Sequence, residues 1–155
     1  MTTDRLTPLL AQRPWLLADG AMGSNLFARG LTSGDAPELW NTEHPQRIRE
    51  LQRSFIEAGA DIILTNSFGG NRHRLKLHKA EGRVAELNEA AAGLARAEAD
   101  RAGRIVLVAG GMGPAGEILD PLGPLAAADA RESFAEQAAA LARGGADILW
   151  IETLS

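Results

Sequence analysis

The sequence predicts an α/β chain, half of a (β/α)8 TIM barrel with about four parallel strands and three intervening helices across residues 1–155. Three observations lead there. Short apolar runs alternate with longer stretches of helical period, the pattern of parallel βαβ units. A weak internal repeat sets Ala58-Gly59-Ala60-Asp61-Ile62-Ile63-Leu64 against Gly144-Gly145-Ala146-Asp147-Ile148-Leu149-Trp150, each a helix end in glycine followed by entry into a strand. All four apolar runs end in polar or glycine-rich positions, at Asp19, Asn66, Gly110–Gly113 and Glu152. A ring of such ends suits the top face of a barrel, whereas an open doubly wound sheet concentrates them at one switch point. Strand centres fall roughly 44 residues apart, so eight units would need on the order of 350 residues. A chain of 155 holds about half of that and ends on a strand.

The elements follow in order. Thr7–Gln12 predicts a short helix before Pro14. Trp15–Ala18 predicts a first strand, apolar enough to be buried on both faces. It delivers Asp19 to a turn that Gly20 and Gly23 allow to be sharp. Asn25–Trp40 has glycines, a proline and no sustained period, and predicts a loop with helical turns. Pro45 suits a first helical turn, and Ile48, Leu51, Phe55 and Ile56 give the apolar face of a helix to Ala58, stopped by Gly59. Asp61–Asn66 is the second predicted strand, Ala80–Ala102 a long helix with Val84, Leu87, Ala91 and Leu94 on one face, and Ile105–Ala109 the third strand. Gly110–Pro124 predicts a loop. Ala127–Arg143 predicts the third helix, with Phe134, Ala138 and Leu141 inward, and Asp147–Glu152 the fourth strand.

Composition narrows the function classes. At 45% hydrophobic and 23% charged residues the chain is globular rather than disordered. A formal net charge of −4 without a basic run argues against a nucleic-acid partner. The chain has no cysteine, which excludes disulfides and thiolate metal ligands within it. The N-terminus lacks the apolar core of a signal peptide, and no run reaches membrane-spanning length. The expectation is a soluble cytoplasmic protein with no membrane association.

Asp19 and Glu152 are the sharpest candidates. Each follows an apolar run, and in a barrel both would face one cavity, where two carboxylates suit an amine, a metal or acid–base work. A turn-capping role for Asp19 is the plainer alternative. Asn66, Ser67 and Phe68 with Gly69 and Gly70 form another polar strand end, able to hold a carboxylate or a ribose-like group, or simply to make an Asx-type turn. Gly111–Gly116 matches GxGxxG, but Pro114, Pro121 and Pro124 follow and no helix opens inside it, so a substrate-lining loop fits better than a dinucleotide site. His44, His73 and His78 lack metal-ligand spacing and read as surface residues. Arg72, Arg74, Lys76 and Lys79 read as a solvated face.

The stretches LLADGAMGSNLFARGL, GDAPELWN, GADIILTNSFGGN, VAGGMGPAGEIL and GADILWIET together resemble the homocysteine S-methyltransferase family (betaine–homocysteine methyltransferase-like), over nearly the whole chain and in order. The resemblance implies a (β/α)8 barrel that transfers a methyl group to the thiol of homocysteine, giving methionine. It implies that Asp19 and Glu152 meet the substrate amino group, that Gly20 offers backbone contacts, and that Asn66, Ser67 and Phe68 line the same pocket, Ser67 standing where the family has threonine. The family also implies zinc held by three cysteines, and those positions would all lie past residue 155. The chain would then supply the amino-acid-binding half of the pocket, itself without catalytic or metal-ligating residues, and need a complementary half. The alternatives are a non-catalytic half-barrel that self-assembles or binds a small amino acid, and a metal-independent lyase or dinucleotide enzyme. Unpaired strand edges invite pairing, so a homo-oligomer or a complementary half-barrel is expected as partner. The methyl donor is not specified by these residues.

Overall fold

The structure, a computed structural model, describes residues 4–154. Helix α1 (Leu6–Gln12) leads to an extended segment and then α2 (Met22–Ala28). A 3-10 turn over Pro37–Leu39 and the short α3 (Trp40–Glu43) precede α4 (Pro45–Glu57), β1 (Ile62–Leu64) and α5 (Arg72–Lys76). A second 3-10 turn, Glu81–Arg83, opens α6 (Val84–Ala99), followed by β2 (Leu107–Met112), α7 (Ala127–Arg143) and β3 (Ile148–Ile151). The three strands are parallel in the order β1-β2-β3, with Ile63 opposite Val108 and Gly110 opposite Leu149. Among the described residues no helix is long and apolar enough to cross a membrane.

Both faces of the sheet are apolar, and different residues cover them. Ile63, Val106 and Val108 pack with Ala92, Ala95 and Leu141 under the helical layer. Ile62, Leu107 and Ala109 face the other way, against Leu9 of α1, with Leu16, Leu64, Ile148 and Trp150 partly buried around them. Across the helical layer, Glu98 of α6 is 2% exposed. Its carboxylate accepts from Arg49 Nε at 2.7 Å and Arg53 Nε at 2.8 Å, fastening α4 to α6.

The internal repeat is a structural device. At the end of α4, Ala60 N–H donates to Phe55 O and Gly59 has φ +103°. At the end of α7, Ala146 N–H donates to Leu141 O and Gly145 has φ +101°. Both are glycine-terminated helix caps, which only a residue tolerant of positive φ makes at low cost. The aspartate that follows bonds to its neighbouring strand in the same way both times. Asp61 N–H donates to Leu17 O at 2.7 Å while its Oδ2 accepts from Leu17 N–H at 3.0 Å. Asp147 N–H donates to Val108 O at 2.8 Å while its Oδ2 accepts from Val108 N–H at 2.8 Å. Guanidinium groups complete each carboxylate: Arg13 at 2.9 Å and Arg104 at 3.5 Å for Asp61, Arg96 at 2.8 Å for Asp147.

Several expectations are corrected. The first strand is only a single bridge, Ala18 to Ile62, so among the described residues the sheet has three strands rather than four. Trp15 is 66% and Leu17 49% exposed, not buried on both faces, because the segment lies at the sheet edge with β1 as its one neighbour. The third predicted strand is displaced toward its C-terminus: Ile105 is exposed and pairing runs on through Gly110, Gly111 and Met112. Both glycines are paired with β3, and at Gly110 a side chain would be crowded, Leu141 Cδ1 lying 3.0 Å from where its Cβ would sit. The loop therefore begins after Met112. The stretch Asn25–Trp40, expected as a loop with helical turns, holds the end of α2, the Pro37–Leu39 turn and the start of α3, and the long helix predicted from Ala80 is a 3-10 turn followed by α6. The helix over Ala127–Arg143 is as expected.

Removing either aspartate leaves a strand N–H and at least one guanidinium without its acceptor, so Asp61→Ala and Asp147→Ala should each cost about 2–3 kcal/mol in urea unfolding. Burial alone would raise the Asp61 carboxyl, but the Leu17 N–H and the Arg13 side chain outweigh it and hold it below the ordinary range. Its stabilisation is therefore complete above the unfolded-state value near pH 4 and is lost as pH falls through the lower folded value. Acid unfolding curves of wild type and Asp61→Asn should converge below that point. Parallel curves would show that Asp61 does not carry the effect.

Candidate functional site

The carboxyl ends of the strands and the loops after them enclose a cavity of about 460 Å³. Its walls come from Ala21–Ser24, from the Asp35–Glu38 segment, from Leu64–Gly69 after β1, and from Glu152 after β3. Of the residues singled out in the sequence, Asn66, Ser67, Phe68 and Glu152 line it. Asp19 and Gly20 do not, but they lead directly into the Ala21–Ser24 wall.

Asp19 is held by the sheet. Its N–H donates to Ile62 O at 2.9 Å and its Oδ2 accepts from Leu64 N–H at 2.8 Å. Burial pushes its carboxyl up to about 6, against the lowering effect of the Leu64 N–H, and the negative charge of Glu152 pushes the same way. A carboxylate raised by burial beside a second negative charge is relieved by a cation. Glu152 is set by the strand as well, its N–H donating to Met112 O at 3.1 Å.

The polar residues after β1 are committed to the scaffold. Asn66 Nδ2 donates to Pro37 O at 2.7 Å and to Asn41 Oδ1 at 3.0 Å, while Asn41 Nδ2 donates to Asn66 O at 2.8 Å. Ser67 Oγ–H donates to Gly111 O at 2.7 Å. The Thr65 hydroxyl then donates to Ser67 Oγ and accepts from Gly111 N–H at 3.0 Å, closing a hydroxyl knot between the ends of β1 and β2. Behind it Gln137 of α7 donates to Ser67 O at 2.8 Å, and Asn88 of α6 donates to Gly70 O at 2.8 Å. Asn66 and Ser67 thus both line the cavity, as expected, and also tie its floor together through the Asn66 amide nitrogen and the Ser67 hydroxyl. Phe68 remains available, at 41% exposed. Gly113 permits its position, since a Cβ there would lie 2.7 Å from Phe68 Cδ2.

Three further cavity residues escaped the sequence reading. Glu38 is 6% exposed, and its Oε1 accepts from Gly69 N–H at 2.8 Å. Burial raises its carboxyl, while Arg74 and His78 act in the opposite direction. Arg74 and His78 are exposed, in keeping with their reading as surface residues, and they also line the cavity. The signal for Glu38 was the quoted GDAPELWN stretch, where an acid follows Pro37 among apolar residues. Nothing local distinguished Arg74 from its cationic neighbours.

The GxGxxG-like stretch has no nucleotide-binding geometry: Gly111 and Met112 belong to β2, and the next helix starts at Ala127. Among the described residues no group of three or more His, Cys, Asp or Glu side chains is arranged to hold a metal. The set of donors here does not fit a thiolate-bound zinc.

Residues 16–155 match the sequence profile of homocysteine S-methyltransferase. The chain is 36% identical over 157 residues to the methionine synthase of Mycobacterium tuberculosis and 34% identical over 159 residues to that of Mycobacterium leprae. Each comparison covers 96% of this chain and 13% of the relative. Among solved structures it is similar to the homocysteine methyltransferase MmuM from Escherichia coli. The oxidized form superposes with a TM-score of 0.81 at 28% identity, and the metallated form with 0.77 at 31%. These cover 98% and 96% of this chain and 57% of the MmuM chain in both cases, so the sequence spans little more than half of that enzyme. With strands, cavity and profile in agreement, the chain belongs to the homocysteine S-methyltransferase family.

Proposed function

We propose that residues 1–155 form the N-terminal half of a homocysteine-binding (β/α)8 domain and supply the amino-acid end of its pocket, acting in the cytoplasm. The reaction is methyl transfer to the homocysteine thiol to give methionine. The observation that carries this reading is Glu152 lining the strand-end cavity with Asp19 leading into its Ala21–Ser24 wall, the Glu152 charge adding to the burial that raises the Asp19 carboxyl. A substrate ammonium between them would relieve their repulsion and form charge-assisted hydrogen bonds. Gly20 and the backbone that follows would approach the rest of the amino acid, and Phe68 would form an apolar wall for its side chain. Asn66 and Ser67 would act through the floor they build.

The chain's own residues do not fit the zinc that the family resemblance implies, so thiol activation is assigned to a complementary half-barrel rather than to any group here. Assembly is favoured by the apolar side chains left uncovered: Trp15 on the edge segment and Leu149 and Ile151 on β3, 45% and 62% exposed. A second copy of this chain covering the same surface is the competing reading, with amino-acid binding but no catalysis.

Mixing the chain with a segment carrying the remaining four strands tests the first reading. Zinc content and homocysteine methylation should appear only in the mixture. A stable homodimer that excludes the added segment would favour the second reading.

The ammonium contact has its own test. Ionised Asp19 is needed, so homocysteine affinity should rise roughly tenfold from pH 5 to pH 7 as the carboxyl titrates near 6. Asp19→Asn, which keeps an acceptor for Leu64 N–H, should flatten this profile and weaken binding at pH 7 by roughly tenfold. In unfolding experiments the sign is opposite. An acid raised on folding costs stability as pH rises from about 4 to 6, so Asp19→Asn should be the more stable protein at pH 7.5.

A further inference from the structure

The cavity contains a second set of charges that the acidic strand ends do not involve. Arg74 and His78 line it beside Glu38. The Arg74 backbone is anchored, its N–H donating to Asn71 Oδ1 at 3.1 Å. Its side chain lies across Gly116, with Cδ at 2.8 Å and Nη1 at 3.1 Å from the point a Cβ would occupy. Gly116 has φ +79°, so this bed for the guanidinium depends on a residue without a side chain.

Neighbouring arginines are neutralised by carboxylates, Arg72 by Glu136 and Arg83 by Glu86, each at 2.8 Å. Among the described residues no carboxylate lies within 4 Å of Arg74 in that way. Glu38 influences it, but the Glu38 Oε1 is already engaged by Gly69 N–H, and burial drives its carboxyl toward the neutral form. A guanidinium offers five donors in a planar fork that matches a carboxylate.

We infer that Arg74, with His78 beside it, is the carboxylate-binding group of this cavity. The carboxylate belongs either to the amino-acid acceptor or to a carboxylate-bearing methyl donor. The assignment of these sources rests on the methyl-transfer reading; the anion site itself rests on the cavity and the unpaired guanidinium.

The test titrates the full chain, by amide chemical shifts, with homocysteine, 3-aminopropane-1-thiol, glycine betaine and acetate. Arg74→Met should weaken carboxylate-bearing probes roughly tenfold and leave 3-aminopropane-1-thiol unchanged, with Arg74→Lys recovering part of the loss. Because Arg74 is exposed, circular dichroism of both variants should match wild type. A loss confined to homocysteine identifies the acceptor's carboxylate, and a loss confined to betaine identifies the donor's; either supports the site. If wild type ignores homocysteine but binds acetate or betaine through Arg74, the methyl-transfer reading fails and the anion site stands. Equal affinities of wild type and Arg74→Met for every carboxylate probe, or no carboxylate binding by wild type, overturn the inference.

Discussion

The structure depends on two aspartates that pin one strand to the next. Parallel strands offer no hairpin turn to set their register, and each pair must be aligned across a long crossover. Asp61 and Asp147 solve this locally, each closing a two-point clasp on a single residue of the preceding segment. Burying a carboxylate is expensive unless its oxygens are met. Here a backbone N–H and one or two guanidinium groups meet them. The glycine cap just before each aspartate delivers it at the right point, so helix end and strand start form one unit.

Register at the bottom of the strands decides what stands at the top. Leu64 N–H meets Asp19, and Gly111 meets both hydroxyls of the Thr65–Ser67 knot, because β1 and β2 are aligned Ile62 to Leu107. A slip of one residue would turn Glu152 away from the cavity, since successive strand residues face opposite sides. The carboxylates at the site are thus positioned by carboxylates at the other end of the sheet.

Much of this was legible in the sequence, for identifiable reasons. Helical period and a glycine stop suffice to place α7 and α4, and the repeat points to parallel units. The strand ends Asp19 and Glu152 stand out because a charge after an apolar run has few explanations. The edge segment at Trp15 misleads, because an apolar run looks the same whether or not a second strand covers it. Gly110 and Gly111 mislead in the other direction: they are held in the strand by pairing with Leu149 and Trp150, which are distant in sequence. Glu38, Arg74 and His78 escape notice because only the folded loops bring them to one wall. Asn66 and Ser67 were legible as cavity residues, but their bonds to Pro37, Asn41 and Gly111 were not, since those partners are distant in sequence.

The committed floor has an evolutionary consequence. Asn66, Ser67, Asn88 and Gln137 each bond to the backbone of the floor or to a neighbouring amide, so replacing any of them disturbs more than its own position. Phe68 and Met22 border the same space without such obligations among the described hydrogen bonds. Divergence in the size or shape of the accepted molecule is therefore channelled into the apolar rim, where a lineage can drift to new substrates while the polar foundation stays frozen.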